Sequence, residues 1–92
     1  MGISEEGAWP SLIRYTVNFQ PKAKKALIAA STADRLRITA AIELLRENPL
    51  PPKALKLKGR DGYRIRVGKY RIIYSFDGNE LVIIVLDIGP RR

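Results

Sequence analysis

The feature that most constrains the fold is an alternating segment in the second half of the chain. Over residues 63–67, apolar side chains alternate with arginines, and a second apolar-rich run over residues 70–76 follows Gly68 and Lys69. Period-two alternation is typical of a strand with one buried face. Two intervening residues that begin with glycine suit a tight hairpin turn. The segment therefore predicts two antiparallel strands.

The rest of the chain predicts two further strands and two helices. Residues 12–19 alternate as a first strand, Pro21 suits the first turn of a helix over residues 22–30, and Ser31 or Thr32 suits the cap of a second helix that ends before Asn48 and Pro49. An apolar stripe at helical spacing marks the second helix: Ile38, Ala41, Ile42 and Leu45. The continuous apolar run over residues 81–86 predicts a central strand covered on both faces.

The resulting order, β-α-α-β-β-β, predicts a single small α+β domain in which a helical hairpin packs on a small, antiparallel-rich sheet. At 92 residues the chain has room for one core. We expect residues 1–10 to be an N-terminal extension and residues 11–92 to be the domain.

The composition narrows the function classes. No apolar run approaches the roughly 18 residues that span a bilayer, and the first ten residues contain Glu5 and Glu6 instead of a basic start. We therefore expect a cytoplasmic protein without a membrane partner. The chain has no cysteine and no histidine, so it lacks the usual ligands of zinc. We expect neither a metal nor a cofactor.

Positive charge is concentrated in one segment. Of a net charge of +8, residues 53–74 carry +7, whereas residues 1–52 carry +2 and residues 75–92 carry −1. A concentrated positive field attracts polyanions, and phosphate contacts supply affinity that does not depend on sequence. Nucleic acid is therefore the expected class of partner. The alternative is a solvated face that only keeps the protein soluble.

The predicted register brings three arginines together. If the hairpin loop has two residues, Arg66 lies directly opposite Arg71, and Arg64 lies on the same face two positions away. Like charges across a strand pair repel one another, so this arrangement indicates a bound anion. The alternative is that these arginines are simply exposed and need no ligand. Three cations that precede the cluster are predicted to extend it along an RNA backbone: Lys56, Lys58 and Arg60.

The available residue types limit the chemistry of such a cluster. Histidine is absent and carboxylates are scarce near the arginines, so the acid–base pairs of proteases, glycosidases and metallohydrolases are missing. RNA carries its own nucleophile, the 2′-OH. Cations can speed its cleavage by positioning that group in line and by stabilising charge on the phosphorane.

Three parts of the sequence resemble RelE-type toxins of the RelE/ParE superfamily. They are residues 56–59, residues 63–74 with the pattern Tyr-Arg-Ile-Arg…Tyr-Arg-Ile-Ile-Tyr, and an apolar strand that ends Asp-Ile-Gly-Pro-Arg at Arg91. The similarity extends from Tyr15 to Arg91. It implies the toxin of a type II toxin–antitoxin system, an mRNA interferase that cuts mRNA in the ribosomal A site by 2′-OH attack.

The resemblance also implies roles for individual residues. Arg64 and Arg66 match a pair of basic family residues, often lysines, that stabilise charge and assist proton transfer. Arg71 matches the arginine that contacts the scissile phosphate, and Arg91 matches a terminal arginine that acts as acid or phosphate ligand. Because arginine does not deprotonate in the working range, a base role is weaker here. RelE-type chains usually continue to a tyrosine that stacks on the base. This sequence stops at Arg92, and weakened catalysis is expected.

Two kinds of partner follow from the resemblance. One is the ribosome with its mRNA, and the other is an acidic, RelB-like antitoxin that wraps the toxin with helices. An alternative activity is DNA gyrase inhibition, which belongs to the ParE branch of the same fold. A non-catalytic RNA-binding domain is the third candidate. It is less well supported, because Tyr63, Tyr70 and Tyr74 fall on the apolar face and are expected in the core.

Overall fold

The computed structural model describes residues 14–90. Its elements, in chain order, are β1 (Thr16–Phe19), α1 (Pro21–Ala29), α2 (Thr32–Glu47), β2 (Leu55–Lys56), β3 (Tyr63–Val67), β4 (Tyr70–Asp77) and β5 (Val82–Pro90). The predicted α+β architecture, with a helical hairpin on an antiparallel-rich sheet, is confirmed. The predicted extension over residues 1–10 and the site residue Arg91 lie outside the described residues. Within the described range, neither helix has the length and hydrophobicity to cross a membrane.

The sheet has five strands in the order β1-β5-β4-β3-β2. Strand β1 runs parallel to β5, and every other neighbouring pair is antiparallel. Val67 pairs with Tyr70, so the predicted two-residue loop is confirmed. Gly68 has a φ of +57°, as the first loop position of a type II′ hairpin turn requires. This turn fixes the register of β3 against β4.

The helical hairpin is held together by polar contacts at its bend. The Ser31 hydroxyl accepts a hydrogen bond from the Asp34 amide at 3.2 Å, which confirms Ser31 as the cap of α2. The Arg35 guanidinium donates to three carbonyl oxygens at the end of α1, those of Leu27, Ile28 and Ala30. The Leu27 carbonyl also accepts a hydrogen bond from the Ala30 amide. Because the last carbonyls of a helix have few intrahelical donors, one arginine terminates the first helix and fixes the second beside it.

The core lies between the helices and one face of the sheet. Its ten members are each no more than 3 % exposed: Ala23, Ile38, Ile42, Leu45, Ile65, Ile72, Tyr74, Ile83, Val85 and Ile88. Three residues of the predicted helical stripe are therefore buried. Tyr63 and Tyr70 are half buried and pack against this core, so the prediction that the three tyrosines lie on the apolar face is confirmed, with Tyr74 alone of the three in the core itself.

The last strand differs from the prediction in two ways. Leu81 has a φ of +57° and belongs to the preceding turn, so β5 begins at Val82 and continues to Pro90. The Asp77 carboxylate accepts hydrogen bonds from two backbone amides of this turn. These bonds stabilise a turn that is one residue longer than expected. The expectation of two covered faces is also wrong. Val82 and Ile84 stay half exposed, because the described helices pack on the opposite face.

Strands β1 and β2 also differ from the sequence-based prediction. Strand β1 begins at Thr16, so the described part of the predicted first strand is shorter than expected. A strand that was not predicted, β2, pairs Leu55 with Arg64 and Lys56 with Tyr63. It extends the sheet by one edge strand, and this edge lies beside the predicted site.

Candidate functional site

The three arginines lie on the sheet face that points away from the helices. Arg66 pairs directly with Arg71 across β3 and β4, and Arg64 lies two positions from Arg66 on the same side. Cβ atoms of directly opposed residues are about 5 Å apart. Arg64 and Arg71 are half buried, whereas Arg66 is exposed. We call this side of the sheet the arginine face.

The positive charge of this region is not balanced by carboxylates. Within residues 14–90, none of seven cations forms an ion pair: Lys53, Lys56, Lys58, Arg60, Arg64, Arg66 and Arg71. The other cation of the segment, Lys69, lies 3.7 Å from the Asp34 carboxylate. The ion pairs of the helices involve other residues, such as Arg46 with Glu43. The arginine face therefore has an uncompensated field that attracts anions.

Two shallow hollows join at Arg64. One, of about 290 Å³, is lined by Pro52, Lys53, Leu55, Arg64 and Arg66. The other, of about 300 Å³, is lined by Lys56, Leu57, Lys58 and Arg64. We call them the first and the second hollow. Because Arg64 borders both, the basic residues of β3 form a continuous surface with the segment that precedes them.

The predicted phosphate-binding residues do not all reach this surface. Lys58 borders the second hollow beside Arg64. Lys56 also borders the second hollow, but its ammonium lies 5.4 Å from the centre of the ring of Tyr63, the residue with which it pairs. Arg60 is exposed in the loop between β2 and β3 and lines neither hollow.

Sequence reasoning missed three residues of the first hollow: Pro52, Lys53 and Leu55. All three lie in or just after a proline-rich connection that has no periodic pattern. Their position became evident only because Leu55 pairs with Arg64 and so lies on the arginine face. Leu55 is 50 % exposed.

A buried carboxylate fixes the tip of the hairpin that carries Arg66 and Arg71. Asp34, which is only 8 % exposed, accepts a hydrogen bond from the Tyr70 hydroxyl at 3.1 Å. The Lys69 ammonium lies 3.7 Å from the same carboxylate oxygen. This cluster ties the β3–β4 turn to the start of α2. Sequence reasoning missed it, although an aspartate three residues after a capping serine is a familiar helix-start signal.

The chemistry of the arginine face is that of hydrogen-bond donors. Guanidinium groups bind two phosphate oxygens at once, and a preorganised pair stabilises charge that develops on phosphorus. Neither hollow is lined by a carboxylate side chain, so a protein base for proton abstraction is not supplied there. Within residues 14–90, no group of three or more metal-ligating side chains occurs. The arrangement therefore suits phosphate binding and electrostatic stabilisation.

Known proteins similar to this chain are toxins. The family model described as "ParE toxin of type II toxin-antitoxin system, parDE" matches residues 8–92. A protein of Methanocaldococcus jannaschii named "Putative toxin RelE1" is 29 % identical over 84 residues, which cover 87 % of this chain and 93 % of that protein.

Solved structures with the same fold include toxin–antitoxin complexes. A chain of the archaeal RelE–RelB complex from Pyrococcus horikoshii OT3 is 32 % identical, with a TM-score of 0.72 over 85 % of this chain and 96 % of that one. A chain of the E. coli RelBE complex gives a TM-score of 0.74 over 85 % of this chain and 98 % of that one. Its identity is 23 %, so this second likeness shows the fold alone.

Proposed function

This chain belongs to the RelE/ParE superfamily of type II toxins, and on that premise we propose that it is a ribosome-dependent mRNA endonuclease. The observation that carries the proposal is the uncompensated pair of Arg66 and Arg71, directly opposed across two strands. Two cations held this close without a carboxylate between them favour a shared anionic ligand. A phosphate group of RNA is a ligand of the required charge and shape.

The proposed reaction uses the RNA's own hydroxyl as nucleophile. The 2′-oxygen attacks the adjacent phosphorus and loses its proton, the bond from phosphorus to the 5′-oxygen breaks, and that oxygen gains a proton. The products are a 2′,3′-cyclic phosphate and a 5′-hydroxyl end. Arg66 and Arg71 bind the non-bridging oxygens as their charge grows, and Arg64 extends the same field. A preorganised donor of this kind contributes roughly a hundredfold to a thousandfold in rate.

Dependence on the ribosome follows from what the arginine face lacks. It has donors for the phosphate, but the chain has no histidine and neither hollow is lined by a carboxylate that could take the 2′-proton. Catalysis must then depend strongly on holding the hydroxyl in line with the leaving oxygen. An mRNA held in the ribosomal A site is already constrained in this way, whereas free RNA is flexible. We therefore infer that the ribosome supplies the alignment and the toxin supplies the charge.

An acidic antitoxin is the second proposed partner. Two similar structures are of RelE–RelB type complexes, from Pyrococcus horikoshii OT3 and from E. coli. Because seven cations of the basic segment lack a carboxylate within the described residues, a partner with acidic side chains is complementary to this surface. An antitoxin that covers Arg64, Arg66 and Arg71 would block phosphate binding directly.

Substitution of Arg71 tests the proposed catalytic role. Arg71→Ala should lower the single-turnover cleavage rate on saturated ribosomes by on the order of a hundredfold or more, because one transition-state donor is lost. Ribosome affinity should change little. Lys25→Ala is the matched control, since Lys25 is an exposed cation on α1, away from the arginine face. It removes the same charge and should leave the rate unchanged.

Lys58→Ala distinguishes binding from catalysis. Lys58 borders the second hollow, so its loss should weaken binding and reduce the salt slope by about one, while the rate on saturated complexes stays nearly intact. If Arg71→Ala instead behaves like Lys58→Ala, with weaker binding and an unchanged rate, the arginine face is an RNA clamp and the catalytic proposal is wrong.

A further inference from the structure

The first hollow contains an apolar surface that phosphate binding does not use. Leu55 is 50 % exposed and lies on the arginine face through its pairing with Arg64. Pro52 lines the same hollow, together with Lys53 and Arg66. A phosphate gains nothing from leucine and proline side chains. Apolar atoms within a ring of cations suit a ligand that has both a charged group and an apolar face.

The size and position of the hollow restrict this ligand. At about 290 Å³, the hollow is at the lower end of the range for small-molecule sites, so it accommodates one ring system. Strands β2, β3 and β4 are consecutive neighbours, and adjacent strands lie about 4.8 Å apart. The backbone at Leu55 is therefore about 10 Å from the strand that carries Arg71, by the same spacing. A nucleotide whose phosphate is bound by Arg66 and Arg71 reaches the hollow with its base.

We propose that the first hollow is a base-binding subsite, in which the base beside the scissile phosphate lies against Leu55 and Pro52. This inference rests on the proposed function. Lys53 and Arg64 at the border of the hollow then face the sugar–phosphate backbone. Leu55 is a positioning residue here, because it holds the nucleotide in place without touching the reacting atoms. Every base has an apolar face, so the contact tolerates all four bases.

The aromatic residues of the sheet support this assignment because they lie on the core face and so leave Leu55 and Pro52 as the apolar surface of the arginine face. Base platforms in RNA-binding proteins are usually aromatic. Among the described residues, the sheet tyrosines Tyr63, Tyr70 and Tyr74 pack toward the core, as does Phe76. No aromatic side chain lines either hollow. An exposed leucine beside a proline is thus the apolar platform that the arginine face offers.

The test uses programmed ribosomes whose A-site codon carries a 2′-deoxy sugar at the cleavage position, so that binding is measured without cleavage. An abasic residue is placed at each codon position in turn, and the Kd of fluorescently labelled toxin is determined. For one abasic position only, the native protein should bind the ribosome about fivefold more weakly than it binds the ribosome with the intact codon. A loss of this size is expected from burial of half a leucine side chain. Leu55→Ala should bind the intact codon about fivefold more weakly and lose nothing further at that abasic position.

Two variants make the result specific. Leu36→Ala is the matched control, because Leu36 is 66 % exposed on α2, and it should behave like the native protein. Leu55→Phe should restore the abasic penalty and strengthen it several-fold, since aromatic rings stack on bases. If the abasic penalty is the same in the native protein and Leu55→Ala, the subsite is wrong even when cleavage is observed. If the penalty depends on Leu55 but no cleavage occurs, the subsite stands and the proposed nuclease function fails.

Discussion

The buried hydroxyl of Tyr74 makes the stability of the fold sensitive to alkaline pH. Tyr74 is fully buried at the centre of β4, and its hydroxyl donates a hydrogen bond to the Pro49 carbonyl oxygen at 2.5 Å. Burial, with a smaller contribution from the charge of Tyr63, raises the pKa of Tyr74 from 10.0 to about 12. This contact holds the end of α2 against the sheet, immediately before the basic segment begins.

The raised pKa determines both the sign and the size of the effect. The folded state favours the neutral phenol, so the stabilisation is fully present below pH 10 and is lost as the pH rises toward 12. Two pKa units correspond to about 2.7 kcal/mol, with about half of that lost by pH 11. At neutral pH, Tyr74→Phe removes the hydrogen bond and leaves the buried Pro49 carbonyl unpaired, at a cost of about 1–2 kcal/mol.

The native protein and Tyr74→Phe should therefore exchange their order of stability as pH rises. Urea unfolding followed by circular dichroism, at intervals from pH 8 to pH 12, gives the free energy of unfolding of both. Charges that do not interact with Tyr74 affect both proteins alike and cancel in the difference, whereas the interaction with the Tyr63 charge is part of the Tyr74 effect. We expect the native protein to be more stable at pH 8 and less stable near pH 12. A difference that stays constant over this range would refute the assignment of the alkaline loss to Tyr74.

Three further predictions concern the turns, the arginines and the partner. Gly62→Ala should destabilise the fold by about 2 kcal/mol or more, because Gly62 has a φ of +122° and an added Cβ would lie 2.9 Å from the Tyr74 carbonyl oxygen. Gly59→Ala, where the added Cβ meets open space, should cost only about 1 kcal/mol in the same urea titration. Arg66→Lys should preserve or raise the cleavage rate if this position assists proton transfer, whereas a loss of rate in single-turnover assays would indicate a bidentate phosphate contact. The antitoxin should bind less tightly as salt increases, and calorimetry should show a smaller salt dependence for Arg71→Ala. A complex that still binds RNA through the arginine face would contradict neutralisation by charge.

The arginine face could be predicted from the sequence because its determinants are local. Period-two alternation sets which side chains share a face, and a two-residue turn that begins with Gly68 fixes the pairing of Arg66 with Arg71. Neither inference depends on the rest of the chain. The cap of α2 at Ser31 was predictable for the same reason, since capping depends on residues three apart.

The remaining features depend on contacts between distant residues. Strand β2 has only two residues, too few for a periodic signal, and it forms because β3 provides an edge. Its pairing places Lys56 beside Tyr63 and Leu55 beside Arg64, and the number of charges in the segment does not predict either position. The Asp34 cluster likewise joins α2 to a turn about 35 residues later in the chain. Leu81 looked like part of a strand because it continues an apolar run, but the Asp77 turn extends through it.

Primer extension on programmed ribosomes tests the central proposal most directly. Purified, antitoxin-free protein is added to ribosomes with a defined A-site codon and, in parallel, to the same mRNA without ribosomes. We predict a discrete cut within the A-site codon on ribosomes, a 5′-hydroxyl end on the downstream fragment, and almost no cleavage of the free mRNA. Intact A-site mRNA, together with inhibition of DNA gyrase by the same preparation, would contradict the account and assign the protein to the gyrase-inhibiting activity of the ParE branch.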